Sequence, residues 1–344
     1  MIILYFNQWF NTIRKHFEYL REDFGNEIKI IGSGKPDNLY KDCCDEFYVE
    51  PKFEHMVDQL NWWVNLCKEK NVDYMFDYTH NSYLINNKKR FDEIGTKLFI
   101  CDNKDLMKKL NNKALTVKLF NETINNDKII CNIPETIICN TRGSFDKSYR
   151  YLKDKYGDVC LKYSEDVGGF SYHKIIEDKE MHSLSENYDR RITLSELYKY
   201  YENREKGYDK KDVILMPYLD GIEVSVDSLL TSKGFVGAIR SKIGDSRMEQ
   251  ISTSGEMIKV AEEFAIKTRI THPFNIQFRY YKGIPYLLEV NTRLAGGSYM
   301  SSMIGIHFIS LFLKDDLGMD FELPECVKQE KTINLLKVDD VMIV

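Results

Sequence analysis

Apolar and polar positions alternate between two periods along the first hundred residues. Residues 2–6 (IILYF) are a short apolar run that reads as a strand, and residues 11–21 follow with Ile13, Phe17 and Leu20 at helical spacing. EIKIIG at 27–32 repeats the strand pattern, residues 53–70 a long helix, VDYMFDY at 72–78 a strand, residues 86–93 a helix and KLFIC at 97–101 a strand. Such strand–helix alternation predicts an α/β domain with a doubly wound parallel sheet. In the long helix Trp62 and Trp63 cannot share one face, so one packs in the core and the other covers a neighbour.

After Asp102 the rhythm changes. Helical pieces over 104–122 lead to a turn at Pro134, and a set of strands follows: VCLKY, FSYHKII, DVILMPYL, IEVSVDSLL and FVGAIRSKI, interrupted by a polar helical segment at 194–206. Several are joined by short glycine-containing connections, which predicts antiparallel pairing in a separate α+β module. Residues 243–255 combine glycines, serines and charges without a period and are expected to be a mobile segment on the substrate side. TINLLKV and VMIV near the end read as a closing strand pair.

Within this pattern PYLLEVNTRLAGGS, residues 285–298, stands out. Glu289, Asn291 and Arg293 fall on alternate positions and therefore on one face of a strand, with Val290 on the other. A solvated sheet face would also carry polar residues here, but asparagine is disfavoured in strands. Upstream, NIQFRYYKGIPYLLEVN reads as a hairpin turning at Lys282-Gly283. A three-residue loop would set Gln277 opposite Glu289; a two-residue loop would offset it by one. In the first register Gln277, Glu289 and Asn291 form a cluster of oxygen donors of the kind Mg²⁺ shares with phosphates and water.

Two other stretches add weight. In VCLKYSEDVGGFSYHKI, Lys162 lies on a strand, and Gly168, Gly169 and Ser171 form a loop that can set backbone amides and a hydroxyl against phosphate oxygens. In DVILMPYLDGIEVSVDSLL, an apolar strand meets Pro217 and a turn at Asp220-Gly221, and then Glu223, Ser225 and Asp227 alternate on one face. That segment can present backbone edges to a flat base and a carboxylate to ribose hydroxyls. Either stretch alone is equally an ordinary turn or edge strand.

Taken in order, Lys113 in NNKALTVKLF, Lys162 before a glycine-rich loop, MPYLDGIEVSVD and IQF…YLLEVNTRLAGGS resemble the ATP-grasp superfamily of carboxylate-amine ligases, especially its carbamoyl-phosphate-synthetase-like branch. The resemblance covers about residues 100–315. It implies an N-terminal pre-ATP-grasp domain at 1–103, a first lobe with a lid loop at 104–212, and a second lobe with the metal site at 213–344, the two lobes clamping ATP. Lys113 and Lys162 would reach its phosphates, Gly168 to Ser171 would close over them, Met216, Pro217, Tyr218 and Leu219 would line the adenine, and Glu223 would hold the ribose. Gln277, Glu289 and Asn291 would hold Mg²⁺. Arg293 would face the transferred phosphoryl group, with Arg240 a further phosphate or carboxylate contact beside Lys242. Two departures stand out: Pro217 replaces a common glutamate of the hinge, and Gln277 replaces a common carboxylate ligand.

Composition narrows the class. The net charge of −5 and scattered lysines argue against nucleic acid, and no apolar run is long enough to span a bilayer. No signal peptide is read at the N-terminus, so a cytoplasmic protein is expected. The eight cysteines show no CxxC or Cys/His spacing of a zinc site and are expected to be reduced. The implied reaction is ATP-dependent ligation of a small carboxylic acid to an amine through an acyl phosphate, with ADP and phosphate released. A small-molecule kinase, a carbamoyl-phosphate-type synthetase and a non-catalytic ATP-binding regulator are the alternatives. His80 and His173 are isolated histidines with no assigned ligand, and a homodimer is the family-level expectation.

Overall fold

The computed structural model describes residues 1–7, 12–124, 131–165, 171–178, 190–243 and 248–337. Contacts divide the chain into two compact units. Met1–Lys108, Val224–Ile276 and Asn291–Val344 form the first, and Lys109–Glu223 with Gln277–Val290 the second.

The first unit opens with the predicted parallel sheet: β1 (Ile2–Asn7), β2 (Ile28–Gly34), β3 (Glu46–Val49), β4 (Tyr74–Asp77) and β5 (Lys97–Leu98), in the order β3-β2-β1-β4-β5 with every pair parallel. Its core is aromatic. Phe6 stacks on Phe76 at 4.3 Å, Phe76 meets Phe99 at 4.3 Å and Phe6 meets Phe17 of the helix Ile13–Phe24 at 4.7 Å. Trp63 is fully buried and donates to Glu50 Oε1 at 3.3 Å, while Trp62 lies against Phe53, as the pairing of two tryptophans requires. The order reverses between β1 and β4, and there Asn7 Nδ2 donates to the buried Asp77 Oδ2 at 2.6 Å.

The second unit is built on β6 (Ile137–Ile138), β7 (Val159–Tyr163), β8 (His173–Ile176), β9 (Arg191–Thr193) and β10 (Val213–Pro217), in the order β6-β10-β7-β8-β9. Pairing is antiparallel as expected except between β8 and β9, which are parallel. Two helices join its core. Leu194–Glu205 follows the predicted segment and starts on a capping box between Thr193 and Glu196. Arg142–Tyr156 was not among the predicted elements; its Phe145, Tyr149 and Leu152 are buried at helical spacing against Val159, Leu161 and Leu215.

A third sheet comprises β11 (Glu223–Thr231), β12 (Gly234–Lys242), β13 (Met248–Ser252), β14 (Phe274–Tyr281), β15 (Ile284–Asn291) and β16 (Thr332–Leu336), in the order β15-β14-β11-β12-β13-β16. Two expectations change here, and a third falls partly outside the described residues. The segment 243–255 contains a strand, β13, held on both sides by β12 and β16, while its residues 244–247 lie outside the described residues. TINLLKV pairs as β16 with β13; VMIV also lies outside the described residues. The hairpin of β14 and β15 turns on two residues, Lys282 (φ 51°) and Gly283 (φ 78°), the left-handed pair that a type I′ turn requires. The three-residue register is therefore not adopted, and in a regular ladder Gln277 stands one position away from facing Glu289. Among the described residues no helix is long and apolar enough to cross a membrane, and all eight cysteines are free.

The first unit also buries two histidines. Burial lowers His272 to about 3, with neither ring nitrogen bonded among the described residues and the ring against Phe99. Burial lowers His16 to about 4, against the pull of Asp227. Both stay neutral in the folded state while the unfolded chain takes up protons below about pH 6.5, so each costs stability as pH falls from there, roughly 2 kcal/mol by pH 5. Urea denaturation at pH 7 and pH 5 should therefore show His272→Phe losing about 2 kcal/mol less across that interval than the parent chain.

Candidate functional site

In the second unit the expected lysines are anchored at one end of β7. Lys162 is 5% exposed on that strand, opposite Ile214 of β10. Lys113 is 8% exposed and opens the helix Lys113–Thr123, where Asn112 Oδ1 caps the Leu115 amide at 3.1 Å. The Lys113 amide donates to Ser164 O at 2.9 Å, and Asn112 Nδ2 donates to Glu165 Oε1 at 3.1 Å. These bonds tie the helix start to the two residues that leave β7. The hydroxyl of Ser164, itself buried, has no partner among the described residues. A hydroxyl left unsatisfied beside two buried lysine positions suits a phosphate oxygen, and the sequence reading had not singled it out. Gly168 and Gly169 lie outside the described residues. Ser171 accepts the Tyr163 amide at 2.9 Å, which fastens the far end of the loop back onto β7.

The hinge is continuous with the same ladder. Met216 and Pro217 pair with Cys160 and Val159, and Cys160 Sγ lies 3.6 Å from the carbonyl oxygens of both. Burial pushes the Cys160 thiol up to about 12, although the Lys162 ammonium pulls it down. Pro217 has no amide proton, and the Tyr218 amide is committed to Asp158 O at 2.9 Å, so neither amide serves a base. Leu219 is buried. The carboxylate of Glu223 lies 3.9 Å from Arg279 Nη2, and Arg279 Nε donates to Gly221 O at 3.3 Å. Arg279, unmarked in the sequence, thus holds both the turn and the proposed ribose contact. Gln277 and Glu289 are half-buried in this unit.

In the first unit Asn291 ends β15, and the guanidinium of Arg293 stacks 3.9 Å over the ring of Tyr78, the residue after β4. Arg240 is held more tightly. Its Nε donates to Asp227 Oδ2 at 2.8 Å, and Nη1 lies 3.8 Å from Glu249. Asp227 is fully buried and also accepts from Asn275 Nδ2 at 2.8 Å and Ser301 Oγ at 2.6 Å. Asp227 was read with Glu223 on a face that serves ribose; it is instead the fixed partner of Arg240. Gly297 abuts that arginine so closely that a Cβ would overlap Nη1. The glycine loop is fastened to the helix Ile13–Phe24 and its cap, with Thr12 Oγ1 donating to Gly296 O at 2.9 Å and His16 Nε2 3.0 Å from Ser298 Oγ. His80 is bound to Asp77, Nδ1 to Oδ2 at 3.0 Å, which raises its pKa despite burial.

The donor set suits a hard cation. Glu289 and Asn291 offer one carboxylate and one amide oxygen two apart on a strand, and among the described residues no group of three histidine, cysteine or acidic side chains is gathered for a metal. Such a pair fits Mg²⁺ that shares its shell with phosphates and water, and does not fit zinc.

Residues 209–341 match the family described as ATP-grasp in the biosynthetic pathway with Ter operon. Across 96% of this chain and 74% of the other, the fold is similar to biotin carboxylase from Campylobacter jejuni in its β-γ-ATP complex, with 16% identity and a TM-score of 0.70. The chain has the ATP-grasp fold. The superfamily resemblance drawn from the sequence is matched by both comparisons. An L-amino acid ligase from Bacillus licheniformis is similar at 16% identity and a TM-score of 0.61, over 92% of this chain and 74% of that one. N5-carboxyaminoimidazole synthetase from Staphylococcus aureus, complexed with ADP, is similar at 10% identity and 0.62, over 93% and 78%. No curated protein sequence matches the chain. In this ATP-grasp chain the family match includes the hinge, Glu223, Arg240, Gln277, Glu289, Asn291 and Arg293, whereas Lys113, Lys162 and Ser171 precede it.

The buried pair makes a thermodynamic prediction. Asp227→Ala leaves Arg240 buried without its carboxylate and should lower unfolding free energy by about 3–5 kcal/mol. Adding Arg240→Met should recover part of that loss, both read by urea denaturation; a double-variant loss equal to the sum of the two single losses would show that the pair is not coupled.

Proposed function

We propose that the chain is an ATP-dependent ligase that joins a small carboxylic acid to an amine. The observation that carries this reading is the pair of buried lysines, Lys113 and Lys162, fastened at one end of β7 beside the unpartnered hydroxyl of Ser164. Two buried lysines and a buried hydroxyl anchored at one strand end would suit an anion, and phosphates are the anions that fit. ATP, when bound, supplies the phosphoryl group by which a substrate carboxylate becomes an acyl phosphate, and the amine then displaces phosphate to form the C–N bond.

The chain's residues would position and neutralise. Lys113 and Lys162 would hold phosphate oxygens, with Ser171 and the Gly168-Gly169 loop covering them. Met216, Pro217, Tyr218 and Leu219 would line the adenine, largely by shape, since the amides at 217 and 218 are not free to donate. Glu223, steadied by Arg279, would bind the ribose. Glu289 and Asn291 would hold Mg²⁺ against the phosphates, whereas the two-residue turn sets Gln277 on the other face of a regular ladder. Arg293 would meet the transferred phosphoryl group in an orientation fixed by Tyr78, and Arg240 the substrate carboxylate. Charge set in place before reaction is the largest contribution an enzyme makes to phosphoryl transfer.

Mg²⁺-dependent ADP release, followed by mass spectrometry with pooled carboxylic acids and pooled amines, tests the reading. ADP that rises only with both pools, with a product lighter by one water than its reactants, is the expected outcome. ADP with one pool and a phosphorylated product would make it a kinase, and ATP binding without ADP a regulator. Glu289→Gln should cut ADP release on the order of 100-fold with the thermal melt unchanged. Lys162→Ala should weaken ATP in a direct titration.

A further inference from the structure

A cavity of about 390 Å³ lies within the second unit and belongs to none of the roles above. Leu161 and Tyr163 line it, and because side chains alternate along β7, it opens on the face opposite Lys162. Its volume falls at the lower end of the roughly 300–1,000 Å³ typical of small-molecule sites.

The lining is chemically specific. Leu161, Ile192 and Leu197 make an apolar floor. Tyr163 and Tyr200 add aromatic walls, and their hydroxyls donate to one carboxylate oxygen of Asp209 at 2.5 and 2.6 Å. Burial favours the neutral form of Asp209, but these hydrogen bonds, with Arg204 3.8 Å away, outweigh it and hold its pKa at about 2. Asp209 is therefore ionised, both phenolic protons are engaged, and the tyrosines present rings to the cavity. Among the described residues the lining holds no carboxylate and one lysine, Lys211, whose ammonium lies 5.2 Å from the Tyr163 ring centroid. Among the described residues no carboxylate pairs with that ammonium. An apolar, aromatic-walled cavity with a single cation suits a monoanion with an apolar body.

We propose that this cavity is a second small-molecule site, one that takes an apolar carboxylic acid with its carboxylate on Lys211 and its body against Leu161, Ile192, Leu197 and the tyrosine rings. The site reaches the proposed phosphate loop through Ser171. Ser171 lines the cavity, accepts the Tyr163 amide at 2.9 Å, and its carbonyl accepts from His173 Nδ1 at 2.9 Å, His173 being a lining residue too. These two hydrogen-bond partners of Ser171 thus touch the ligand space. An occupant that moves either one shifts Ser171 and with it the affinity for ATP; this coupling rests on the ligase reading, whereas binding of the acid does not.

The full chain is titrated calorimetrically, without nucleotide, with 3-phenylpropionate and with its neutral amide. Saturable binding of the acid is expected, weakened about ten-fold in the amide and in Lys211→Met, the loss of one charge-assisted hydrogen bond. Lys211 is exposed, so this variant should melt as the parent does. No saturable binding, or equal affinity for acid and amide, or an unchanged Lys211→Met, overturns the site. A separate ATP titration with the acid present should shift ATP affinity about five-fold. Acid binding with no such shift removes the coupling and leaves the site. Acid binding in a chain that takes no ATP sinks the ligase reading alone.

Discussion

The constraint on which the first unit depends is the burial of Asp227. A carboxylate without exposed surface is tolerated only when charge and hydrogen bonds replace water, and here Arg240, Asn275 and Ser301 do so together. Those partners come from β12, β14 and the short helix Ser298–Ser302. One side chain therefore fixes the register of three elements, and it points Arg240 toward the loop that carries Gly297. Glu249 continues the network by pairing with Lys337 at the end of β16. A substitution at Asp227 would disturb the loop after EVNTR before it disturbed any ligand.

How much of this was legible follows from which rules are local. Alternation along a strand is local, so Glu289, Asn291 and Arg293 could be set on one face from the sequence, and the parallel sheet could be read from its βαβ rhythm. The hairpin register depends on a single residue of loop length. Lys282 takes a positive φ that a lysine rarely adopts, and the sequence gives no warning of it. The helix Arg142–Tyr156 was missed although Phe145, Tyr149 and Leu152 have the right spacing, because eleven charged or hydroxyl-bearing neighbours dilute the apolar stripe. Arg279, Asp227 and Ser164 matter through partners distant in sequence, which no motif reports.

Charge explains the departures from the superfamily pattern. With Gln277 in place of a carboxylate, Glu289 is the one acidic side chain of the proposed metal set. A cation held by one carboxylate and one amide keeps more of its charge unneutralised by the protein. It would then depend more on phosphate oxygens, so metal and nucleotide would bind together rather than in sequence. Pro217 acts in the same direction at the other end of the nucleotide. In the proposed nucleotide site, the missing amide at 217 would shift recognition of the base from hydrogen bonding to apolar shape, supplied by Met216 and Leu219.

β7 joins these arguments because its two faces carry opposite chemistry. Cys160 and Lys162 occupy one face and Leu161 and Tyr163 the other, and the strand cannot slip by one residue without exchanging a buried lysine for a buried leucine or a half-buried tyrosine. Pairing with β10 on one side and β8 on the other prevents that slip. The same rigidity limits how a signal could cross the strand. A displacement of Tyr163 cannot travel through a fixed ladder, but it can travel along the backbone amide that Ser171 accepts, which lies at the strand's end where the ladder stops. A signal between the two faces would therefore run through this bond at the end of β7, where a shift does not break strand pairing.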